Sequence, residues 1–163
     1  PFRLKGKSRM PLAIMAMGIV FNLLNGMMQA GGLFYFAPEG LYADGWAYLL
    51  KPHALLGVIL FFAGMFINLH SDYVIRHLRK PGDTKHYLPG KGLYRYVTSA
   101  NYFGELVEWT GFAILTASPA AWVFVWWTFA NLVPRADAIH HRYREEFGDE
   151  AVGKRKRIIP FLY

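Results

Sequence analysis

Fourteen consecutive apolar residues, Ala54-Leu-Leu-Gly-Val-Ile-Leu-Phe-Phe-Ala-Gly-Met-Phe-Ile67, lie in the middle of this sequence. With the flanking residues from Pro52 to His70 they make a segment close to the ~20 residues that a helix needs to cross a bilayer. A second segment, from Pro11 to Phe36, is longer and contains no charged residue. Both segments predict transmembrane helices.

Two shorter apolar segments follow, from Tyr96 to Thr116 and from Ala120 to Val133. The dipeptide Ser118-Pro119 between them is a helix breaker, so the pair predicts a tight helical hairpin. No stretch shows the alternation of a strand. The fold class predicted for residues 1–163 is therefore an all-α, polytopic transmembrane bundle, with four spans in a single membrane domain followed by a charged tail.

The basic residues are confined to the segments between these spans. Of 18 Lys and Arg, four lie in 3–9, six in 76–95 and seven in 135–157. By the positive-inside rule, four spans with both ends in the cytoplasm place all three blocks on one side. Nucleic acid is an unsuitable partner, because bilayer-length segments flank the basic blocks. The absence of cysteine excludes disulfides and thiolate catalysis.

Polar residues at membrane depth are the candidates for function, because burying them in lipid is costly. The first group is Asn68, Asp72, Arg76 and Arg79, whose spacing places them on one face if the helix of the second span continues. The guanidinium group of arginine can donate two parallel hydrogen bonds to phosphate oxygens, so these residues could bind a phosphorylated ligand. The alternative for the arginines is a helix end that anchors to anionic lipid headgroups.

Two further groups lie in and after the hairpin. Asn101, Glu105 and Glu108 share one face of the third span, and the alternative for Glu108 is a buried ion pair between helices. Arg135, His140 and Tyr143 follow the fourth span. His140 and His141 point in directions about 100° apart on a helix and make a poor metal pair, so no metal site is predicted.

Three stretches of this sequence resemble the steroid 5α-reductase (3-oxo-5α-steroid 4-dehydrogenase) family. The first runs from Asn68-Leu-His-Ser-Asp-Tyr-Val-Ile-Arg to Asp83, and the second from Gly92-Leu-Tyr-Arg-Tyr-Val-Thr-Ser-Ala-Asn to Trp109. The third is the tail Lys154-Arg-Lys-Arg-Ile-Ile-Pro-Phe-Leu-Tyr163.

The resemblance implies a membrane oxidoreductase of seven helices, of which this chain carries the last four. It would reduce the Δ4 double bond of 3-oxo steroids with NADPH, passing hydride to C5 and a proton to C4. The catalytic Glu and Tyr of the family are expected on helices upstream of Pro1, so no catalytic residue is named here. The positions that match the family's cofactor-binding residues are Asn68, Asp72, Arg76, Arg79, Asn101, Glu105, Arg135, His140 and Tyr143.

Several alternatives stay open. The same fold serves reductases of long-chain enoyl or polyprenol substrates. A membrane methyltransferase of the isoprenylcysteine type would use S-adenosylmethionine, but Ser99-Ala-Asn-Tyr102 differs from the motif of those enzymes at the start of the hairpin. A non-enzymatic lipid-binding protein leaves Asn68, Asp72, Asn101 and Glu105 unexplained. The expected location is a bacterial inner membrane or the endoplasmic reticulum, with membrane lipid and the protein's own N-terminal helices as partners.

Overall fold

A computed structural model of the chain describes residues 11–79, 83 and 85–163. In these residues the fold is all-helical, as predicted, and the strand-like pairing found is one isolated parallel bridge between Val97 and Lys156. The helices are α1 (Leu12–Ala30), α2 (Pro52–Arg76), α3 (Ala100–Thr116), α4 (Pro119–Phe147) and the single turn α5 (Asp149–Val152). A π-helical turn extends α1 over Gly31–Tyr35, and 3₁₀ turns at Gly45–Leu50 and Gly92–Arg95 precede α2 and α3.

Two of the described helices are long and apolar enough to cross a membrane. These are Leu12–Tyr35, with a mean hydropathy of 1.5, and Pro52–Arg76, with a mean hydropathy of 1.9. No residue of α1 is buried among the described residues, so its apolar side chains have lipid or another protein segment as their natural surroundings. The two further spans predicted from α3 and α4 stay predictions.

The end of α2 differs from the sequence-based expectation. The helix was expected to continue through Arg79, but it ends at Arg76. The N–H of His77 bonds to the carbonyls of Tyr73 and Val74, and the bond to Val74 tightens the last turn so that the helix stops. Arg79 therefore lies beyond the helix and not on the helix face that was predicted for it. Pro81-Gly82, whose residue types indicate a turn, and Lys80 lie outside the described residues.

The fourth predicted span also has a different end. It was expected to finish at Val133, yet α4 runs through Pro134 to Phe147. Proline removes one helical hydrogen bond, but the turns that follow are held by packing. Ala136 on this extension belongs to a buried cluster with Leu106, Leu132 and Ile158. The extension carries the predicted residues Arg135, His140 and Tyr143.

Glycines bring α2 and α3 into backbone contact. The two helices are antiparallel, since Gly57 faces Leu115 while Gly64 faces Glu108. A Cβ atom added at Gly64 would collide with the backbone of Glu108, and one added at Gly104 would collide with the backbone of Asn68. Gly111 meets α2 in the same way. Such small residues allow close helix packing inside membranes, where the hydrophobic effect gives little drive for association.

The C-terminal segment is fixed to the chain just before α3. The N–H of Lys156 donates to the carbonyl of Tyr96 at 2.8 Å, and the N–H of Thr98 donates to the carbonyl of Lys156 at 2.9 Å. Arg157 pairs with Asp137 of α4. The apolar residues 158–163 at the end of the charged tail are thus partly a core element, with Ile158 fully buried.

The glycine contacts give a direct stability prediction. In the protein at its natural full length, Gly104→Ala should lower the midpoint of thermal unfolding in detergent, because its methyl group overlaps the backbone of Asn68. Overpacking of this kind costs about 1–3 kcal/mol. The matched control is Gly26→Ala in α1, where a Cβ meets nothing within 4 Å. An unchanged midpoint for Gly104→Ala would contradict the close packing of α2 and α3.

Candidate functional site

Four of the predicted polar residues lie on the parts of α2 and α3 that pack against each other. Asn68 and Asp72 come from α2, and Asn101 and Glu105 come from α3. The absence of a side chain on Gly104 lets α3 approach the backbone of Asn68, which brings its neighbour Glu105 within electrostatic range of Asp72. All four are half-buried. Two carboxylates and two amides therefore share one rim of the helix pair.

Tyr94, which the sequence reasoning missed, lies beneath this rim. It is 1% exposed, and its hydroxyl donates a long hydrogen bond of 3.4 Å to Oδ1 of Asn101. Burial raises the pKa of the Tyr94 phenol, so the group is a donor at neutral pH. With Oδ1 engaged, the NH2 group of Asn101 has no partner among the described residues. The sequence signal that could have identified Tyr94 was its position in the second family motif, two residues before Tyr96.

Cationic groups border the rim on the α2 side. An Nη atom of Arg76 lies 3.0 Å from a carboxylate oxygen of Asp72, and both side chains are solvent-accessible. Such an exposed pair stabilises the fold little. The guanidinium of Arg76 has further N–H donors that remain available for a ligand.

Arg79 lies near a loop that α2 leads into. The hydroxyl of Tyr87 donates to Asp83 at 2.7 Å, and this bond, together with the N–H of Lys85, holds the pKa of the Asp83 carboxyl below its usual value. Arg79 is within electrostatic range of Asp83 and of Tyr143 on α4. It thus stands between the loop and the α4 extension.

The α4 extension supplies the third side of the rim. Arg135 lies within electrostatic range of Glu105, and Tyr143 lies within electrostatic range of Tyr94, Tyr102 and Arg79. Burial raises the pKa of Tyr143. Eight of the nine predicted residues therefore lie in one region, where the last turns of α2 with the chain after it, the start of α3 and the α4 extension meet. They are Asn68, Asp72, Arg76, Arg79, Asn101, Glu105, Arg135 and Tyr143.

His140 is placed differently. It is 6% exposed, and its Nδ1 lies 3.3 Å from Oγ1 of Thr98. Burial and the nearby Arg157 and Arg144 lower its pKa, so the imidazole is neutral at pH 7. Within the described part of the chain, no hydrogen bond or ion pair joins His140 to the other eight residues. Its geometry suits a residue that fixes α4 against the C-terminal segment, and its role as a cofactor ligand stays a prediction.

The arrangement favours an anionic, hydrogen-bonding ligand over a metal ion. Three guanidinium groups border the rim, and its carboxylates and amides accept and donate hydrogen bonds. In residues 11–79, 83 and 85–163 no group of three His, Asp or Glu side chains is placed to hold a metal. The cavities of about 490, 280 and 220 Å³ found in the described residues lie elsewhere, and none of them is lined by the nine predicted residues.

Comparison with known proteins gives a consistent result. The sequence model of the family described as 3-oxo-5-alpha-steroid 4-dehydrogenase matches residues 8–163. The chain is 44% identical to 3-oxo-5-alpha-steroid 4-dehydrogenase 1 of Homo sapiens over 163 residues, which cover 100% of this chain and 61% of that protein.

Two more distant relatives agree. The chain is 39% identical to 3-oxo-5-alpha-steroid 4-dehydrogenase 2 of Homo sapiens, over 94% of this chain and 58% of that protein. It is 37% identical to the steroid 5-alpha-reductase DET2 of Arabidopsis thaliana, over 97% of this chain and 59% of that protein. The chain thus spans about 60% of the length of these curated relatives and corresponds to their C-terminal part. It belongs to the 3-oxo-5-alpha-steroid 4-dehydrogenase family.

Proposed function

We propose that this chain is the cofactor-binding part of a membrane-embedded reductase that converts 3-oxo-Δ4 steroids to 5α-dihydrosteroids with NADPH. The observation that carries the proposal is the gathering of polar and cationic residues from α2, α3 and α4 at one rim. Family membership supports the steroid as substrate, since the relatives are named for it. The whole of 1–163 would act as a single membrane domain, completed by helices of the same protein that precede it.

The residues of the rim have the chemistry that NADPH requires. Arg76, Arg79 and Arg135 are the cations for its phosphate groups, because a guanidinium bonds two phosphate oxygens at once. Asp72 and Glu105 are acceptors for ribose hydroxyls or for the amide of the nicotinamide. When bound, NADPH supplies the hydride that reaches C5 of the steroid, while a proton is added at C4.

The residues of this chain would orient the cofactor and not carry out the proton chemistry. Tyr94 holds Asn101 through the hydrogen bond to Oδ1, which leaves the NH2 group directed to the ligand. Tyr143 and Tyr102 add aromatic surface beside it. The catalytic Glu and Tyr that contact the 3-oxo group are expected on the preceding helices, where a hydroxyl donor would polarise the enone.

The topology that accompanies this function has four spans in the chain. With both ends in the cytoplasm, the ends of α2 and α4 and the start of α3 lie on the cytoplasmic side, where NADPH is available. A bacterial inner membrane and the endoplasmic reticulum both satisfy this arrangement. Glu105 and Glu108 shorten the apolar part of α3, and its partner helices would shield them.

One assay tests the function and its alternatives together. The purified protein at its natural full length should oxidise NADPH in the presence of 3-oxo-Δ4 steroids and prefer NADPH to NADH. Turnover of enoyl thioesters or polyprenols without steroid turnover would move the enzyme to another reductase class. Binding of S-adenosylmethionine with no binding of NADPH would overturn the proposal.

Two substitutions test the rim itself. Arg79→Ala and Asn101→Ala should each raise the Kd for NADPH by about ten- to a hundredfold, because each removes a hydrogen bond to a charged or amide group of the ligand. The Kd can be read by isothermal calorimetry on the detergent-solubilised protein. The matched controls are Arg144→Ala and Asn131→Ala. Arg144 pairs with Asp149 on the surface, and Asn131 bonds to its own helix at Trp127. Equal Kd values in all four variants would remove the site assignment.

Tyr94 has a separate, weaker test. Tyr94→Phe keeps the buried ring and removes the hydroxyl that holds Asn101, so the Kd for NADPH should rise by about two- to tenfold. Tyr73→Phe, on an exposed ring of α2, is the control. The losses of NADPH affinity should not be additive in the double variant, because Tyr94→Phe should add little to the loss that Asn101→Ala causes. A double variant with fully additive losses would show that the two residues act independently.

A further inference from the structure

The cavity of about 490 Å³ lies outside the rim and is strongly basic. Its lining comes from the chain before α3 and from the C-terminal segment, and it comprises Arg95, Tyr96, Ala151, Val152, Gly153, Lys154, Arg155, Lys156 and Phe161. Four of these nine residues are Lys or Arg and none is acidic. Such a cavity attracts a ligand with negative charge.

The cations of the cavity are free to meet that ligand. Arg155 is engaged, since it donates to the carbonyl of Pro89 at 2.8 Å. Arg95, Lys154 and Lys156 are exposed, and within the described residues none of their side chains forms an ion pair or a hydrogen bond. Three positive charges therefore line one cavity, and no acidic side chain among the described residues pairs with them.

Backbone hydrogen bonds hold the walls of the cavity together. The two hydrogen bonds between Lys156 and the Tyr96–Thr98 stretch join its sides, and the side chains of Val97, Val152 and Ile158 beneath it are buried. A site held in this way loses little conformational entropy when a ligand binds.

Aromatic and aliphatic groups stand exposed at the edge of the cavity. Phe161 is 78% exposed and Leu162 is 74% exposed, and the ring of Phe161 packs on that of Tyr96 at 5.1 Å. Phe161 has a φ of 67°, a left-handed conformation that bulky residues rarely adopt. The carbonyl of Tyr163 holds this turn by accepting from the N–H groups of Ile158 and Ile159, each at 2.8 Å.

The position of the cavity agrees with a membrane surface. Arg95 and Tyr96 stand four to five residues before the start of α3 at Ala100, which is the depth of the headgroups if α3 enters the bilayer there. Exposed aromatic rings next to Lys and Arg are typical of membrane interfaces. The apolar cavity of about 280 Å³ between α2, α3 and α4 includes Ile159, two residues from Phe161 on the same turn.

We propose that Arg95, Lys154 and Lys156 bind the phosphate headgroup of one anionic phospholipid, while Phe161 and Leu162 contact its acyl region. One chain of the lipid follows the turn at Ile159 into the apolar cavity beside Phe103 and Phe129. This site is separate from the NADPH rim and does not depend on the reductase activity. Its function is to seat the C-terminal segment, and with it the start of α3, on the membrane surface.

Native mass spectrometry of the full-length protein tests the proposal. The protein is incubated in detergent with equal amounts of palmitoyl-oleoyl phosphatidylglycerol and palmitoyl-oleoyl phosphatidylcholine. The wild type should retain one phosphatidylglycerol in preference to phosphatidylcholine. Lys154→Gln with Lys156→Gln should reduce that preference by about tenfold or more, since each basic residue near anionic lipid contributes about 1 kcal/mol.

The control variant carries Lys85→Gln and Lys91→Gln, which remove the same charge from exposed residues outside the cavity. It should retain the wild-type preference, and thermal unfolding should confirm that both double variants are folded. Equal losses in the two double variants, or no preference in the wild type, would overturn the site. Displacement of the lipid by excess inorganic phosphate would assign the cavity to a free phosphate ligand and overturn the lipid. NADPH binding, measured in parallel, should be unchanged in both variants.

Discussion

Close backbone packing between α2 and α3 is the constraint on which the rest of this structure depends. Gly64 and Gly104 sit where any side chain would overlap the opposite helix, so the backbones of the two helices are in contact. In a membrane this contact replaces the hydrophobic drive that water would supply. It also sets the register that places Asn68 and Asp72 beside Asn101 and Glu105.

A second constraint acts at the polar end of the helix pair. The C-terminal segment bonds to the chain before α3 through Lys156, and Ile158 fills the core between α3 and α4. His140, neutral and buried against Thr98, completes this contact. The start of α3 is therefore held from the α2 side by glycine packing and from the α4 side by the tail, and the proposed NADPH rim lies between these two supports.

The amino-acid composition of each segment predicted the helices well, whereas the exact helix ends depend on local geometry and packing. Apolar runs predicted the helices and the hairpin at Ser118-Pro119, and the spacing of polar residues predicted the three candidate groups. The ends of α2 and α4 could not be predicted, because they depend on one tightened turn at His77 and on tertiary packing of Ala136 that outweighs Pro134. The sequence did not single out Tyr94, because its burial and its hydrogen bond to Asn101 depend on the tertiary structure.

The central claim is that α2, α3 and the α4 extension form one surface for NADPH. Hydrogen–deuterium exchange of the full-length protein, with and without NADPH, tests it most directly. The account predicts slower exchange on binding in 68–79, 94–105 and 135–147 together, with the far ends of the same helices unchanged. Protection confined to one of these segments, or found only outside this chain, would contradict it.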